Sequence, residues 1–192
     1  MGRKLKKVES LMEVEAFHKV LYWFFAYPNT KLGLSDLSKQ LRISKTTANR
    51  IITQLVEEEF LNKEVLGKVW RISCNLRHPY NLTRKIGYNL ILVYESMVLE
   101  KIRKQIPNSK SIILFGSYRK GDDNEKSDID LAVEVVDDED VEIKELETIP
   151  QLGYRKNVKV NMHIFSRNRI NLNLFANIAN GIILQGFLEV KP

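Results

Sequence analysis

The sequence of 192 residues has a single cysteine, Cys74, and lacks any apolar run near the roughly 18 residues of a membrane span. One cysteine can form neither an intramolecular disulfide nor a zinc cluster. The basic residues 1–7 lead into Val8, Glu9 and Ser10 and not into the apolar core of a signal peptide. Only five prolines interrupt the chain, and 44% of its residues are hydrophobic, so it can build real cores. These absences predict a cytoplasmic protein with no membrane segment.

The net charge of +6 is unevenly distributed along the chain. Residues 1–79 contain 14 Lys or Arg and 8 Asp or Glu, whereas residues 80–192 contain 16 of each kind. The whole positive excess therefore belongs to the first part. Such an asymmetry favours an anionic partner such as nucleic acid. The alternative is a surface whose charge only keeps the protein soluble.

The first part has the pattern of three helices followed by a hairpin. Apolar residues at three- and four-residue spacing predict helices over residues 10–27, from the N-cap candidate Ser35 onwards and over residues 45–58. Residues 60–65 and 69–73 read as two strands joined by a short turn. This order, covering residues 10–75, resembles the winged helix-turn-helix domains that bind DNA.

In a winged helix the third helix enters the major groove with the residues near its N-terminus. Asn and Arg side chains can bond to adenine and guanine edges, while Ser, Thr and Lys suit phosphates. The resemblance therefore implies DNA contacts from Ser44, Lys45, Thr46, Thr47, Asn49 and Arg50, with Lys63, Lys68 and Arg71 on the hairpin. Winged helices also serve as protein-interaction modules, which is the alternative for this part.

Residues 77–80 read as the linker between two domains, 1–79 and 80–192. The second domain has a mixed pattern of helices and strands, so the predicted fold class is α+β in two domains. Its predicted elements are a long helix over residues 82–105, strands over 111–115, 128–136 and 158–165, an acidic loop or helix start at 137–147 and a helix over 172–180.

A Gly-Ser pair follows the first of these strands, and an Asp-Ile-Asp triplet begins ten residues later. Gly116 has no Cβ, so the backbone there can approach a ligand, and the amides and the Ser117 hydroxyl can grip phosphate oxygens. Asp128 and Asp130 are two residues apart on a strand, so both side chains point to the same face. Paired carboxylates repel unless a cation joins them, and oxygen ligands suit Mg²⁺ or Mn²⁺.

This motif resembles the nucleotidyltransferase superfamily that includes DNA polymerase beta, and in particular its minimal nucleotidyltransferase branch. Residues 181–186 are similar to the stretch that often closes such domains. The resemblance implies a mixed sheet flanked by helices, an NTP substrate bound over Gly116 and Ser117, and catalysis with Mg²⁺ or Mn²⁺.

The same resemblance implies that Asp128 and Asp130 are the catalytic, metal-binding carboxylates. Arg119 and Lys120 lie between the two halves of the motif, in what the sequence predicts to be a loop, and are expected to contact the triphosphate. Solvated loop charges are the alternative for these two residues.

The chain departs from the family at the third carboxylate, which usually lies on the next strand. The polar face of the strand over residues 158–165 offers Asn161 and His163 instead. Asparagine can lend a carbonyl oxygen to a metal but cannot take a proton, whereas histidine can act as a base.

The sequence thus favours a nucleotidyltransferase with an unknown acceptor, fused to a DNA-binding domain. The alternative is a catalytically impaired regulator, or an antitoxin-like protein that binds a partner protein. The NTP used, the DNA sequence and the oligomeric state stay open.

Overall fold

The computed structural model describes residues 11–67, 69–136 and 140–190. Lys68, predicted to contact DNA, lies outside these residues. The chain divides between His78 and Pro79 into two compact units, which are described separately. No helix in the described part combines the length and the apolar character that a membrane crossing requires.

The first unit contains three helices and a two-stranded hairpin. The elements are α1 (Leu11–Ala26), α2 (Leu34–Leu41), α3 (Lys45–Glu57), β1 (Leu61–Leu66) and β2 (Val69–Cys74). The strands are antiparallel, with Leu61 opposite Cys74. The apolar faces of the three helices meet in one core, whose fully buried side chains include Val20, Phe24, Phe25, Leu37, Ile51, Ile52, Leu55 and Phe60.

A three-residue turn separates α2 from α3. Arg42 ends α2 in the left-handed conformation, with φ 54°. Ser44 then caps α3, because its Oγ accepts a hydrogen bond from the backbone N–H of Thr47 at 3.0 Å. The N-cap predicted for α2, Ser35, is wrong by two residues, since the N-cap is Gly33, without a side-chain cap, and the helix begins at Leu34.

The second unit is a mixed α+β fold. After a 3₁₀ turn at Pro79–Leu82, its elements are α4 (Arg84–Glu95), α5 (Val98–Gln105), β3 (Ser111–Phe115), α6 (Gly116–Lys120), β4 (Ile129–Val135), β5 (Glu142–Leu152), β6 (Arg155–Ser166), α7 (Leu172–Ala179) and β7 (Ile182–Gly186).

Five of these strands form one mixed sheet in the order β5-β6-β4-β3-β7. β4 runs parallel to β6, and every other pair is antiparallel. The register places Asp130 on the central strand between Phe115 of β3 and Asn161 of β6. The residues of the two halves of the Gly-Ser/Asp-Ile-Asp motif are thereby brought together.

Strand alternation gives the sheet two different faces. On one face the apolar side chains are fully buried, among them Leu114, Leu131, Val133, Val160 and Met162. On the other face Ile113, Phe115, Ala132 and Phe165 form a cluster with Ile178 of α7 and with Leu188. Asp130 and His163 share the parity of Ala132 and Phe165, so they lie on this second face.

Two predicted elements of the second unit are wrong. The long helix over residues 82–105 is two helices, because Met97 adopts the left-handed conformation with φ 62°. The acidic stretch at 137–147, expected to be a loop or helix start, enters strand β5 at Glu142. β5 pairs with β6 along its length, and Glu145 there forms an ion pair of 3.6 Å with Lys159.

Candidate functional site

The Gly-Ser pair lies where the buried strand β3 ends and the short helix α6 begins. Gly116 has a positive φ of 69°, a conformation that favours glycine. A Cβ on Gly116 would lie 2.7 Å from Oδ2 of Asp130. The absence of a side chain therefore lets the backbone of one half of the motif touch the carboxylate of the other half. Ser117 follows, half-buried, in the first turn of α6.

Arg119 and Lys120 are not in a loop, as the sequence predicted, but in α6 itself. The helix ends at Gly121, which has a positive φ of 79°. Lys120 is exposed, whereas Arg119 is half-buried and its Nε has no hydrogen-bond partner among the described residues. These two cations therefore extend from the same short helix as Gly116 and Ser117.

Asn161 lies between the two carboxylates. Its Nδ2 donates to Oδ2 of Asp128 at 3.4 Å and to Oδ1 of Asp130 at 3.3 Å. Asp128 directly precedes β4 and Asp130 lies within it, so their two-residue spacing brings both side chains to the same face. The Nδ2 group of Asn161 thus donates to both carboxylates, whose negative charges would otherwise face each other without a donor between them.

His163, also on β6, contacts the same carboxylate oxygen of Asp130 as Asn161 does. Its Nε2 is 3.4 Å from Oδ1 of Asp130, and its ring packs edge-on against Phe115 with 4.9 Å between the centroids. Nδ1 is buried and has no hydrogen-bond partner in the part of the chain that the structure describes. The two predicted third-position residues, Asn161 and His163, therefore both contact Asp130.

The donor set suits a hard divalent cation. Mg²⁺ in proteins is commonly held by one or two carboxylates, and water and phosphate oxygens complete its coordination. Asp128 and Asp130 provide such a pair, and Asn161 adds an amide oxygen if its amide group is turned over. The described residues contain no group of three or more His, Cys, Asp or Glu side chains placed to hold a metal ion. The described residues thus offer two carboxylates at this site and not three.

A buried polar network beneath α6 was not predicted from the sequence. Lys85 and Asp123 form an ion pair of 3.3 Å, and their side chains are 2% and 3% exposed. Asn89 donates to Oδ1 of Asp123 at 2.7 Å and to the carbonyl of Tyr118 at 3.0 Å. Burial raises the pKa of the Asp123 carboxyl, and the Lys85 ammonium opposes that shift. The sequence did contain one signal for this network. Lys85 and Asn89 are polar residues four positions apart in α4, so they lie on the same face of the helix, and that face is buried.

Arg155, at the start of β6, extends this network to the segment before Asp128. Its Nη1 donates to the Tyr118 hydroxyl at 2.6 Å, and its Nη2 donates to the carbonyl oxygens of Glu125, at 3.3 Å, and Ser127. Burial raises the pKa of the Tyr118 hydroxyl, which stays protonated at neutral pH. Nothing in the local sequence around Arg155 indicates these contacts, since the partners lie 28 to 37 residues away.

In the first unit, the residues predicted to contact DNA gather at the start of α3 and on the hairpin. Thr47 is half-buried, and the exposed members are Ser44, Lys45, Thr46, Asn49, Arg50 and Arg71. Nη1 of Arg71 lies 3.7 Å from Oε2 of Glu64 on the facing strand. Lys63 stacks over the ring of Trp70 at 4.3 Å, so that indole is covered by a cation on the same hairpin.

Comparison with known proteins bears on the second unit. No curated protein matches the chain. Residues 96–179 match the family model of the nucleotidyltransferase domain. The matched range contains Gly116, Ser117, Asp128, Asp130 and Asn161. The predicted resemblance is therefore supported over this range: residues 96–179 are similar to nucleotidyltransferase domains, which suggests a nucleotidyltransferase type of function.

Proposed function

We propose that the second unit transfers a nucleoside monophosphate from an NTP to an acceptor group, with a divalent metal ion as cofactor. The observation that carries the proposal is the close approach of Gly116 to the carboxylate of Asp130 on the central strand, where a Cβ on Gly116 would lie 2.7 Å from Oδ2. Gly116 and Ser117 therefore lie beside the paired carboxylates. Residues that bind triphosphate and residues that hold metal are needed within a few ångströms of each other for this reaction.

Each residue of the site has a role in this proposal. Gly116 and Ser117 bind phosphate oxygens, and Arg119 and Lys120 provide positive charge toward the triphosphate. Asp128 and Asp130 would hold Mg²⁺ or Mn²⁺, which would supply positive charge to the triphosphate and to the acceptor oxygen. In the reaction the oxygen of an acceptor hydroxyl bonds to the α-phosphorus and gives up its proton to His163 or to water, while the bond from the α-phosphorus to the oxygen of the β-phosphate breaks and pyrophosphate leaves.

A second candidate function is nucleotide binding without catalysis. It is favoured by Asn161, which occupies the position beside both carboxylates and cannot take a proton from the acceptor. His163 is the neighbouring side chain that can carry a proton. In this alternative the second unit senses nucleotide or binds a partner protein, as a transcriptional regulator or an antitoxin-like protein does.

For the first unit we propose DNA binding through a winged helix-turn-helix. The proposal is supported by the order of three helices and a hairpin, by the three-residue turn before α3, and by the exposed Lys45, Asn49 and Arg50. Contact with a protein is the alternative for the same surface.

The nucleotide site is tested by calorimetric titration of NTPs with Mg²⁺ or Mn²⁺. Wild-type protein is expected to bind an NTP only with metal, and Asp128→Asn/Asp130→Asn is expected to lose that binding because the isosteric amides carry no charge. Asp122→Asn/Asp140→Asn removes the same charge from exposed positions and serves as the matched control. Failure of the wild type to bind any NTP, or equal binding by the site variant, would contradict the proposal.

The two candidate functions are then distinguished by whether a labelled phosphate of the NTP is transferred, and by which phosphate carries the label. Transfer from an α-phosphate-labelled NTP to a component of cell extract, with no transfer from a γ-labelled NTP, indicates a nucleotidyltransferase. Binding without transfer of either label indicates the second candidate function.

A further inference from the structure

Asp128 lies just before β4, so the hydrogen bonds of the strand do not fix its position. Residues 121–128 form no helix or strand, and β4 begins only at Ile129. In the absence of a cation, the carboxylate of Asp130 repels that of Asp128. Asn161 reaches Asp128 at 3.4 Å, the long end of a hydrogen bond. An anchor on the backbone next to Asp128 would therefore decide where its carboxylate lies.

Arg155 is that anchor. Its residue exposure is 5%, and its Nη2 bonds the carbonyl oxygens of Glu125 and Ser127. Ser127 is the residue directly before Asp128. The guanidinium therefore fixes the backbone at the point where the segment enters the site, from the base of the neighbouring strand β6.

The same guanidinium also reaches the other half of the site. Nη1 bonds the hydroxyl of Tyr118, which is 1% exposed and directly follows Ser117. One side chain thus joins the residue after Ser117 to the residue before Asp128. A planar guanidinium can make these bonds in different directions at once, whereas the ammonium of lysine is a point charge on a flexible stem.

We propose that Arg155 is a positioning residue that sets the metal affinity of the site by holding Asp128 beside Asp130 and next to the Gly116–Ser117 turn. This inference rests on the proposed function, because it assigns Asp128 and Asp130 to metal binding. Loss of a side chain that orients metal ligands typically weakens metal binding by about 10- to 100-fold. Arg155 variants are expected to fall in this range.

The test is Mn²⁺ titration of the full chain without nucleotide, followed by the electron paramagnetic resonance of free Mn²⁺. Arg155→Met and Arg155→Lys are compared with wild type, and Arg167→Met is the matched control. Arg167 is also a partly buried arginine of this unit, and it bridges Glu134 at 2.9 Å and Glu189 at 2.7 Å rather than the site. We expect Arg167→Met to lower the melting temperature without changing the Mn²⁺ dissociation constant, and both Arg155 variants to raise that constant about 10- to 100-fold.

Three outcomes would overturn the inference, and they are distinguishable. If wild type binds Mn²⁺, Asp128→Asn/Asp130→Asn does not, and the Arg155 variants bind as wild type does, the positioning role alone is wrong. If Arg155→Lys and Arg167→Met weaken Mn²⁺ binding equally, the effect is a general loosening of the unit. If wild type binds no Mn²⁺, the metal site of the proposed function is wrong, and the role of Arg155 falls with it. Arg155→Lys retains the positive charge. If Arg155→Met does not fold, the Mn²⁺ dissociation constant of Arg155→Lys alone tests the inference.

Discussion

Gly116 is subject to two constraints that a single methyl group would violate. Its φ of 69° is costly for a residue with a Cβ, and the Cβ would also stand 2.7 Å from a carboxylate oxygen of Asp130. Gly67, in the turn of the first unit, has a similar φ of 61° but open space around the position of a Cβ. The two glycines therefore share the backbone constraint and differ in the steric one.

Replacement by alanine separates these effects. Both Gly116→Ala and Gly67→Ala are expected to cost about 1–2 kcal/mol through backbone strain. We expect Gly116→Ala alone to weaken metal-dependent nucleotide binding, by about tenfold or more, because the methyl group displaces the Asp130 carboxylate from its position. Calorimetric titration of both variants with an NTP and Mn²⁺ measures the difference. Equal affinity of the two variants would show that the close approach at Gly116 is irrelevant to binding.

Residues that belong to a local pattern could be placed from the sequence, and residues that depend on distant partners could not. Alternation along one strand predicted that Asn161 and His163 share a polar face, and both lie against Asp130. Arg155 gave no such signal, and the polar pair of Lys85 and Asn89 did not indicate its partners, because these are fixed by the packing of α4, α6 and β6. Burial of Lys85 runs against the usual exposure of lysine.

At the scale of elements, the wrong predictions for residues 82–105 and 137–147 have physical causes. The apolar stripe of α4 continues in phase into α5, so periodicity alone predicts one helix across Met97. The break depends on a left-handed methionine, which local propensity disfavours. β5 is rich in Glu and Lys, and its strand structure comes from pairing with β6, which a local pattern does not contain. The five-stranded order likewise depends on long-range pairing.

The link between α4 and the segment before Asp128 is also an element-scale feature, and it predicts a pH dependence. Lys85→Met leaves the buried Asp123 carboxylate without its cation, and we expect a loss of about 3–5 kcal/mol at neutral pH. Burial already raises the pKa of Asp123, and removal of Lys85 raises that pKa further. The folded variant then binds a proton that the unfolded chain lacks, so its stability falls as pH rises above the ordinary pKa of aspartate.

Urea unfolding of Lys85→Met and wild type at acidic and neutral pH measures this effect. Both tryptophans, Trp23 and Trp70, belong to the first unit, so tryptophan fluorescence follows that unit alone. Far-ultraviolet circular dichroism follows both units, and the change that fluorescence does not share reports the unfolding of the second unit. The deficit of Lys85→Met is expected to shrink toward acidic pH. Lys85→Met/Asp123→Asn is expected to recover most of the loss and to abolish its pH dependence. A deficit that is the same at both pH values would mean that removal of Lys85 does not raise the pKa of Asp123 in the folded protein.

At the scale of the whole molecule, the net charge changes along the chain close to the boundary between the two structural units. The positive excess predicted to meet nucleic acid belongs to residues 1–79, and the range that matches the nucleotidyltransferase domain model belongs to the part with equal numbers of acidic and basic residues. If the first unit binds DNA and the second transfers a nucleotide, charge changes in the two units have separable consequences. A cation removed from α3 is then expected to affect DNA affinity, and a cation removed from the second unit is not.

Salt dependence measures that separation directly. The logarithm of the DNA association constant is expected to fall linearly with the logarithm of salt concentration, with a slope of about −0.9 for each phosphate neutralised. Lys45→Gln, at the exposed start of α3, is expected to reduce the magnitude of that slope by about 0.9, because one fewer counterion is released. Lys156→Gln removes the same charge from an exposed position on β6 and is expected to leave the slope unchanged.

The measurement is fluorescence anisotropy of a labelled duplex with the full chain. If no duplex is bound in a salt-dependent manner, or if Lys156→Gln changes the slope as much as Lys45→Gln, the start of α3 is not the DNA-binding surface.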